Sequence, residues 1–587
     1  RVDVKGEGQN KEAIGATVEL WSAGSYQILE KHLSRGYISS VEPIIHFGLG
    51  NTSKVDSVRI TWPYPGKQIV ITNPGINRVL RVSSKDAKPV ELKQYRNPSA
   101  PFFSRADHLF PFEHSETDYV DFFQGQSVMQ HKFSMNGPVM ETADLDGNGS
   151  EEILVAGGFG YPSEAYHLIG GKYISFELPG WTGVRSAQVS GMVIVDIDGD
   201  ADQDIIEIAG GYSQEDASLY THHLFRNNKG VFVSEKLPVP SFVGSVVREM
   251  DFDKDGDIDL FIGNRVSRRN FPFSDNSWLL INNGNSFKAE ALPLEMVTDA
   301  AWTDTDGDGW KDLVVTRELN YVAWLKNESG KKLVLTEKPE LTSMHGFWES
   351  VTAADFDLNG SEDLILGNLG HNHRFTISDE YPFRVYGIDV DKNGVVDPVC
   401  TSYWKDKEGL MQEYPVNYMD ELFAQSPYFR KLFTSYTTFS YSDMSKIYKT
   451  DTIKSARVRF ANYSASVIVW NDKGSLSVRE LPAPLQNTPL TKTLVHDFTG
   501  DGTADVLICG NDHSFDVSTG NYDAGRGMIL TVDRERNLRV MAPAATGLSI
   551  LGQVRSLNMI RGSENLVLIG INRKPAKVYK INKAEVN

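Results

Sequence analysis

Short apolar stretches separated by turn chemistry run through most of the chain. Met192–Val195 precedes an acidic segment, and Ile153–Val155, Leu260–Ile262, Leu364–Leu366 and Val506–Ile508 each follow one. Runs of this length, bounded by turn residues, read as buried strands rather than helices. Gly or Gly-Asn then ends the second strand, at Gly157-Gly158, Gly210-Gly211, Gly263-Asn264, Gly367-Asn368 and Gly510-Asn511, while a fourth unit has Thr316-Arg317 instead. A hairpin signal follows: HLFRNNKGVFVSEKLP from His223, WLLINNGNSFKAEALP from Trp278 and VIVWNDKGSLSVRELP from Val467. Asn-Gly-type turns between alternating residues predict antiparallel pairs. Four short antiparallel strands per unit make one blade of a propeller.

The acidic segments repeat a pattern, D-x-[DNT]-x-[DN]-x-x-x-[DE], seven times. The residues at positions 1, 3, 5 and 9 are Asp144, Asp146, Asn148 and Glu152; Asp196, Asp198, Asp200 and Asp204; Asp251, Asp253, Asp255 and Asp259; and Asp304, Asp306, Asp308 and Asp312. The series continues with Asp355, Asp357, Asn359 and Asp363; Asp389, Asp391, Asn393 and Asp397; and Asp497, Thr499, Asp501 and Asp505. First-position spacings of 52, 55, 53, 51, 34 and 108 residues describe a unit of about 53, as a propeller or solenoid requires, interrupted once. Side-chain oxygens at alternate positions of a tight curl, with Gly at 4 or 6, resemble the start of an EF-hand loop, and several hard oxygen ligands predict Ca²⁺. The metal ligands are expected to be these side chains other than Thr499, which leaves the seventh loop the weakest site, and the ions are expected to be structural.

Charge fits the same reading. Lys and Arg number 59 against 77 Asp and Glu, a formal −18, and 24 carboxylates lie at the four loop positions. Seven divalent ions would bring −18 to −4, so the acidity reports metal loops rather than an acidic binding face. A chain of this sign is not expected to bind nucleic acid, which demands a basic surface. No apolar run reaches the ~18 residues of a membrane span. Cys400 and Cys509 are the only cysteines, too few for a disulfide scaffold, and both lie at apolar strand ends where buried thiols are expected. His371 and His373 could hold a metal but lack an evident third ligand, and no nucleophile, zinc-protease or phosphate-loop motif occurs.

Residues 1–92 alternate apolar and polar positions, as in Ala16–Leu20 and Val58–Trp62, with breaks at Pro63, Pro65-Gly66 and Asn73-Pro74-Gly75. A small β-sandwich is expected, with His46 packed in a strand. The chain begins at Arg1 without Met, as expected of a mature piece or fragment. The acidic loops with their Gly or Gly-Asn strand ends resemble FG-GAP/VCBS repeats. Ile14-Gly15-Ala16, Gly36-Tyr37, His46–Gly50, Val55-Asp56, Ile60–Pro63 and Asn73–Asn77 resemble the ASPIC/UnbV domain. The order of the two is similar to the C-terminal half of large Bacteroidetes surface proteins.

The expected organisation is therefore all-β: a sandwich over 1–92, a linker and ring-closing strand over 93–135, and a propeller of seven blades, or eight, over 136–587. Tyr119–Phe123 is the strand-like stretch in the linker. A helical insertion, expected at about 399–455, splits the sixth unit, and residues 399–450 hold 12 aromatics. These could dock a glycan or a protein, or form a small core of their own. The resemblance implies a non-catalytic, calcium-stabilised module that is secreted or on the bacterial outer-membrane surface. Its expected partner is a protein, such as a transporter or lipoprotein of a nutrient-uptake or adhesion complex, with a glycan as second candidate. The alternative is a calcium-dependent polysaccharide lyase or another carbohydrate-active enzyme on the same scaffold.

Overall fold

The computed structural model describes all residues except 64–65, 91–100, 125, 186, 213–214, 285, 542, 563–564 and 583–587. The chain divides into two compact units, Arg1–Pro98 and Ser99–Asn587. The boundary expected at 92 lies outside the described residues.

In the first unit, Ser25–Glu30, Thr17–Ser22, Ser57–Trp62, Lys67–Thr72 and Lys88–Pro89 form an antiparallel sheet in that order. Val2–Lys5 and Leu80–Ser83 form a separate parallel pair. Alternation along Ser57–Trp62 turns Val58, Ile60 and Trp62 inward, where they meet Val4, Val18 and Leu20. His46 is exposed, not packed: it alternates with the buried Ile45 and Phe47, so its side chain points the other way.

The second unit is a β-propeller. Sheet 1 runs from Val139–Ala143 to Lys172–Phe176, sheet 2 from Gln188–Val195 to Val231–Lys236 and sheet 3 from Val243–Met250 to Phe287–Leu292. Sheet 4 runs from Val297–Thr303 to Leu333–Thr336 and sheet 6 from Leu490–His496 to Leu538–Met541. Sheet 5 joins Ser350–Ala354 and Asp363–Gly367 to the distant Val467–Asp472 and Ser475–Glu480. Sheet 7 comprises Val554–Ile560, Leu566–Ile571, Lys577–Ile581 and, from far upstream, Phe103–Arg105. The first strand of each sheet packs beside the first strand of the next, and that of sheet 7 beside that of sheet 1, which closes the circuit. The closing strand is Phe103–Arg105; the strand-like Tyr119–Phe123 instead leads into a helical turn, Asp121–Gln124.

Each second strand is buried on both faces because it lies between two neighbours. In sheet 5, Leu364 and Leu366 pack toward Val314 and Trp324 of sheet 4, while Ile365 packs toward Val506 and Ile508 of sheet 6. The same division recurs at every junction of the circuit, which is why these strands read as continuous apolar runs. Where the fourth unit lacks glycine, the second strand runs on as Asp312–Asn320 and pairs with Gly346–Phe347.

The interruption is larger than expected and is not a split sixth blade. Between Gly367 and Val467 lies a separate sheet, ordered Met411–Pro415, Val399–Lys405, Phe383–Gly387, Arg457–Ala461. Five short helices from Met419–Gln425 to Thr450–Ser455 follow Met411–Pro415. The repeat at Asp389 belongs to this inserted sheet, so the 34-residue spacing marks an insertion, not a short blade. Half of the 12 aromatics of 399–450 join a local core, with Phe429, Phe433 and Tyr448 buried beside Val128 and Val399, whereas Tyr418, Tyr436 and Tyr441 are 57%, 60% and 62% exposed.

Candidate metal centres

Six of the seven acidic loops join the first strand of a propeller sheet to the second, in sheets 1 to 6; the seventh, Asp389–Asp397, makes the corresponding turn of the inserted sheet. Since every first strand runs the same way, the six loops lie at one end of the ring.

All seven share one backbone solution. Position 6 has φ between 73° and 96° in every loop, and six of those residues are glycine; Ala201 is the exception. This left-handed residue turns its N–H onto the position 1 carboxylate. The bonds are Gly149 to Asp144 at 2.8 Å, Ala201 to Asp196 at 2.9 Å, Gly256 to Asp251 at 3.3 Å and Gly309 to Asp304 at 2.9 Å. Gly360, Gly394 and Gly502 donate to Asp355, Asp389 and Asp497 at 2.9, 2.9 and 3.0 Å. The position 7 N–H donates likewise to the position 5 side chain, from Ser150 to Asn148 at 2.8 Å through to Thr503 to Asp501 at 2.8 Å.

This curl gathers carboxylates. One oxygen from each of Asp144, Asp146 and Glu152 lies within 4.8 Å of the others, and the same holds for Asp196, Asp198 and Asp204, and for Asp355, Asp357 and Asp363. In the third and fourth loops the converging groups are Asp251, Asp253 and Asp255, and Asp304, Asp306 and Asp308. Their position 9 carboxylates, Asp259 and Asp312, are not among the three, although like Asp204 and Asp363 they accept backbone N–H bonds. Asp259 accepts from the N–H groups of Phe252 and Asn282, both at 2.7 Å, and Asp312 accepts from that of Asn327 at 2.8 Å.

The donor sets are all oxygen, which suits a hard divalent cation. Among the described residues Asp251 Oδ1 is buried with no hydrogen-bond partner, and Asp251 is one of the three carboxylates of its cluster. Burial pushes Asp204, Asp259, Asp397 and Asp505 up to about 6 and Asp363 to about 7. Three loops carry a basic side chain of the protein's own. Arg226 meets Asp198 at 2.7 Å, Lys326 pairs with Asp306 and stands 3.1 Å from Asp308, and Arg536 meets Asp357 at 2.6 Å.

A set of asparagines escaped the reading of the sequence, which took them only as turn residues. Asn282, Asn327 and Asn471 end third strands, and their side-chain amides donate to Ile197, Phe252 and Thr305 carbonyls at 2.8, 2.9 and 2.9 Å. Each acceptor is position 2 of the preceding sheet's acidic loop. The available signal was the Asn placed two or three residues before the turn glycine, at Asn282-Gly284, Asn327-Gly330 and Asn471-Gly474.

The other candidates behave as packed groups. Both cysteines are buried, and burial raises both thiols, Cys509 to about 12. His371 stands exposed, 3.8 Å from Glu480, while burial pushes His373 down to about 4.

No curated protein matches the chain in sequence. Among solved structures it is similar to a lectin of Agrocybe aegerita that recognises non-reducing terminal N-acetylglucosamine, at 14% identity over 70% of this chain and 80% of the lectin, with a TM-score of 0.35. It is also similar to the biofilm matrix protein Bap1 of V. cholerae, at 11% identity over 82% and 92%, with a TM-score of 0.37. At these scores neither likeness bears on function. Family models are more direct: residues 6–89 match ASPIC and UnbV, and residues 304–366, which span the fourth loop and the start of sheet 5, match the FG-GAP-like repeat. The N-terminal unit thus carries an ASPIC/UnbV match and the propeller an FG-GAP-like repeat match, and domains of these kinds indicate a β-propeller-type surface or binding module.

Proposed function

We propose that this is a non-catalytic module stabilised by calcium, an accessory component of a bacterial outer-membrane nutrient-uptake or adhesion complex that docks a protein partner. One observation carries the non-catalytic reading. The repeated carboxylates are turned into their own loops and fastened there by backbone N–H groups, so they serve the scaffold rather than a substrate. Calcium would supply the positive charge that lets three crowded carboxylates stay ionised. Asp144, Asp146 and Glu152, with their counterparts in the other loops, would hold it. The domain composition supports a surface role, and the exposed Tyr418, Tyr436 and Tyr441 of the insertion offer the amphipathic side chains that interfaces favour.

The test pairs an association assay with an activity screen. Removing the whole of 405–450 would uncover Val128 and Val399, so the informative change is Tyr436→Ser with Tyr441→Ser, which touches exposed rings only. Loss of membrane-complex co-purification with an unchanged melting temperature is expected. Reproducible product release from acidic or neutral polysaccharides by the intact chain, abolished by one substitution, would overturn the reading.

A further inference from the structure

The axis of the propeller holds a feature that neither the loops nor the docking surface uses. Five first strands carry a register shift near their beginning, and the extra residues are Ser190, Ser245, Thr298, Thr491 and Arg555. A bulge leaves one residue outside the ladder and re-aims its side chain. All five, together with Lys492, line two cavities on the axis: a chamber of about 100 Å³ and a channel of about 430 Å³. They form the collar the two cavities share. Because the bulges sit where the first strands begin, the collar is nearer the end of the ring opposite the acidic loops.

The collar is chemically one-sided. All four of its hydroxyl protons point into the wall: Ser190 donates to the Gly244 carbonyl at 2.9 Å, Ser245 to that of Gly263 at 3.2 Å, Thr298 to that of Trp348 at 2.7 Å and Thr491 to that of Val554 at 3.3 Å. The donors left over are cationic. Among the described residues Arg555 Nε is buried without a hydrogen-bond partner, and so is Nη1 of Arg265 on the chamber wall, whose other terminal nitrogen meets Glu318 at 2.6 Å. Lys492 lies between the cavities, and burial followed by the repulsion of Arg248 and Arg555 outweighs the pull of Asp299 and Glu141 to lower its pKa.

The carboxylates on these walls are mostly engaged or reluctant to ionise. Asp299 pairs with Arg248 at 2.5 Å, and Asp512 accepts from the Ser514 N–H at 2.6 Å and from Gln553 at 3.1 Å. Burial pushes Glu141 and Glu349 up to about 7. A chain of net −18 has thus turned two guanidinium donors that lack hydrogen-bond partners among the described residues toward its axis. A buried, unpaired guanidinium donor costs free energy that an oxyanion would return.

We propose that this axial collar binds the oxyanion of a small molecule between Arg555 and Lys492, with the serine and threonine oxygens accepting from its hydroxyl groups. The channel is within the usual size of small-molecule sites, so a single carboxylated sugar fits the description better than a polymer. The site does not depend on the docking reading and stands or falls separately.

The test is titration calorimetry of the calcium-loaded full chain at low chloride, with D-glucuronate, sulfate and neutral D-glucose as probes. Saturable 1:1 binding of glucuronate or sulfate, and none of glucose, is expected; binding of glucuronate alone identifies a carboxylated organic ligand, and binding of sulfate alone an inorganic one. Arg555→Gln and Lys492→Gln should each weaken binding by about tenfold or more, the loss of one charge-assisted bond, with Lys492→Arg restoring part of it. Melting temperatures with and without chelator show that each variant is folded; should Arg555→Gln fail that check, the lysine pair decides. Absence of anion binding up to about 10 mM, or binding that folded lysine variants leave unchanged, overturns the proposal.

Discussion

The side-chain amide of Asn327 donates to the carbonyl of Phe252, 2.9 Å away, and so ties the third strand of sheet 4 to the acidic loop of sheet 3. The same amide reaches the Lys311 carbonyl at 3.1 Å, and its oxygen accepts from the turn N–H of Gly330 at 2.7 Å. The Asn327 backbone N–H meanwhile donates to Asp312, the last residue of its own loop. One buried residue thus fixes two successive loops and a hairpin turn. Asn327→Ala should cost about 2–4 kcal/mol, because two carbonyls and an N–H lose their partner. A thermal melt is expected to show a lowered transition, and Asn282→Ala and Asn471→Ala should behave alike.

The loops should differ in their demand for an ion. Lys326 already answers Asp306 and Asp308 in the fourth loop, whereas the third loop keeps Asp251 Oδ1 unpartnered. Calcium removal is therefore expected to lower the melting temperature, each site saturated at a hundred times its dissociation constant contributing about 2.7 kcal/mol. Asp251→Asn should erase more of the chelator-sensitive shift than Asp304→Asn. Calorimetric melts of wild type and both variants, with and without EGTA, check the order. Equal losses would mean that the protein's own lysine does not substitute for the ion.

The strand-ending glycines yield a steric prediction. A Cβ on Gly367 would lie 2.1 Å from the Leu490 carbonyl oxygen of sheet 6 and 2.3 Å from Ser350 Oγ. A Cβ on Gly510 would lie 1.9 Å from the Pro489 carbonyl oxygen. Gly367→Ala should therefore destabilise by about 1–3 kcal/mol through overpacking. Gly562→Ala, in open space, should be neutral in the same melt.

These glycines also show what was legible in the sequence. Their recurrence after an apolar run was visible, and so were the acidic curl and the hairpins, because each rests on contacts close along the chain. The residue that such a glycine makes room for can lie far along the chain, as Leu490 lies 123 positions from Gly367, and no local signal reports it. The inserted sheet was hidden for the same reason. Its strands Val399–Lys405 and Met411–Pro415 are aromatic and irregular, and the sheet is completed by Phe383–Gly387, which pairs with Val399–Lys405 and, across the helices, with Arg457–Ala461. Asp389 carried the right loop chemistry, so the spacing placed it in the ring. The axial collar was invisible because it consists of single bulged residues brought together only by closing seven strands into a circle.

One buried histidine should contribute to the acid sensitivity of the propeller. His222 is 1% exposed, its Nδ1 accepts from the Ala209 N–H at 3.1 Å, and its ring packs on Phe242 with centroids 4.3 Å apart. Burial, with a smaller contribution from His223, pushes it down to about 3. The folded value lies below that of the unfolded chain, about 6.5. The unfolded state therefore takes up a proton that the folded state refuses, and the stability that His222 contributes is intact above pH 6.5 and lost as the pH falls toward 3. Between about pH 6 and 4 the loss approaches about 1.4 kcal/mol per pH unit from this residue. His222→Asn keeps an acceptor for Ala209 and removes the titration. The variant should be less stable than wild type at pH 7.5 through lost packing, and the gap should close as the pH is lowered. Melting both proteins in calcium across pH 7.5 to 4.5 checks this, and a gap that stays constant would show that the His222 ring does not carry the acid sensitivity.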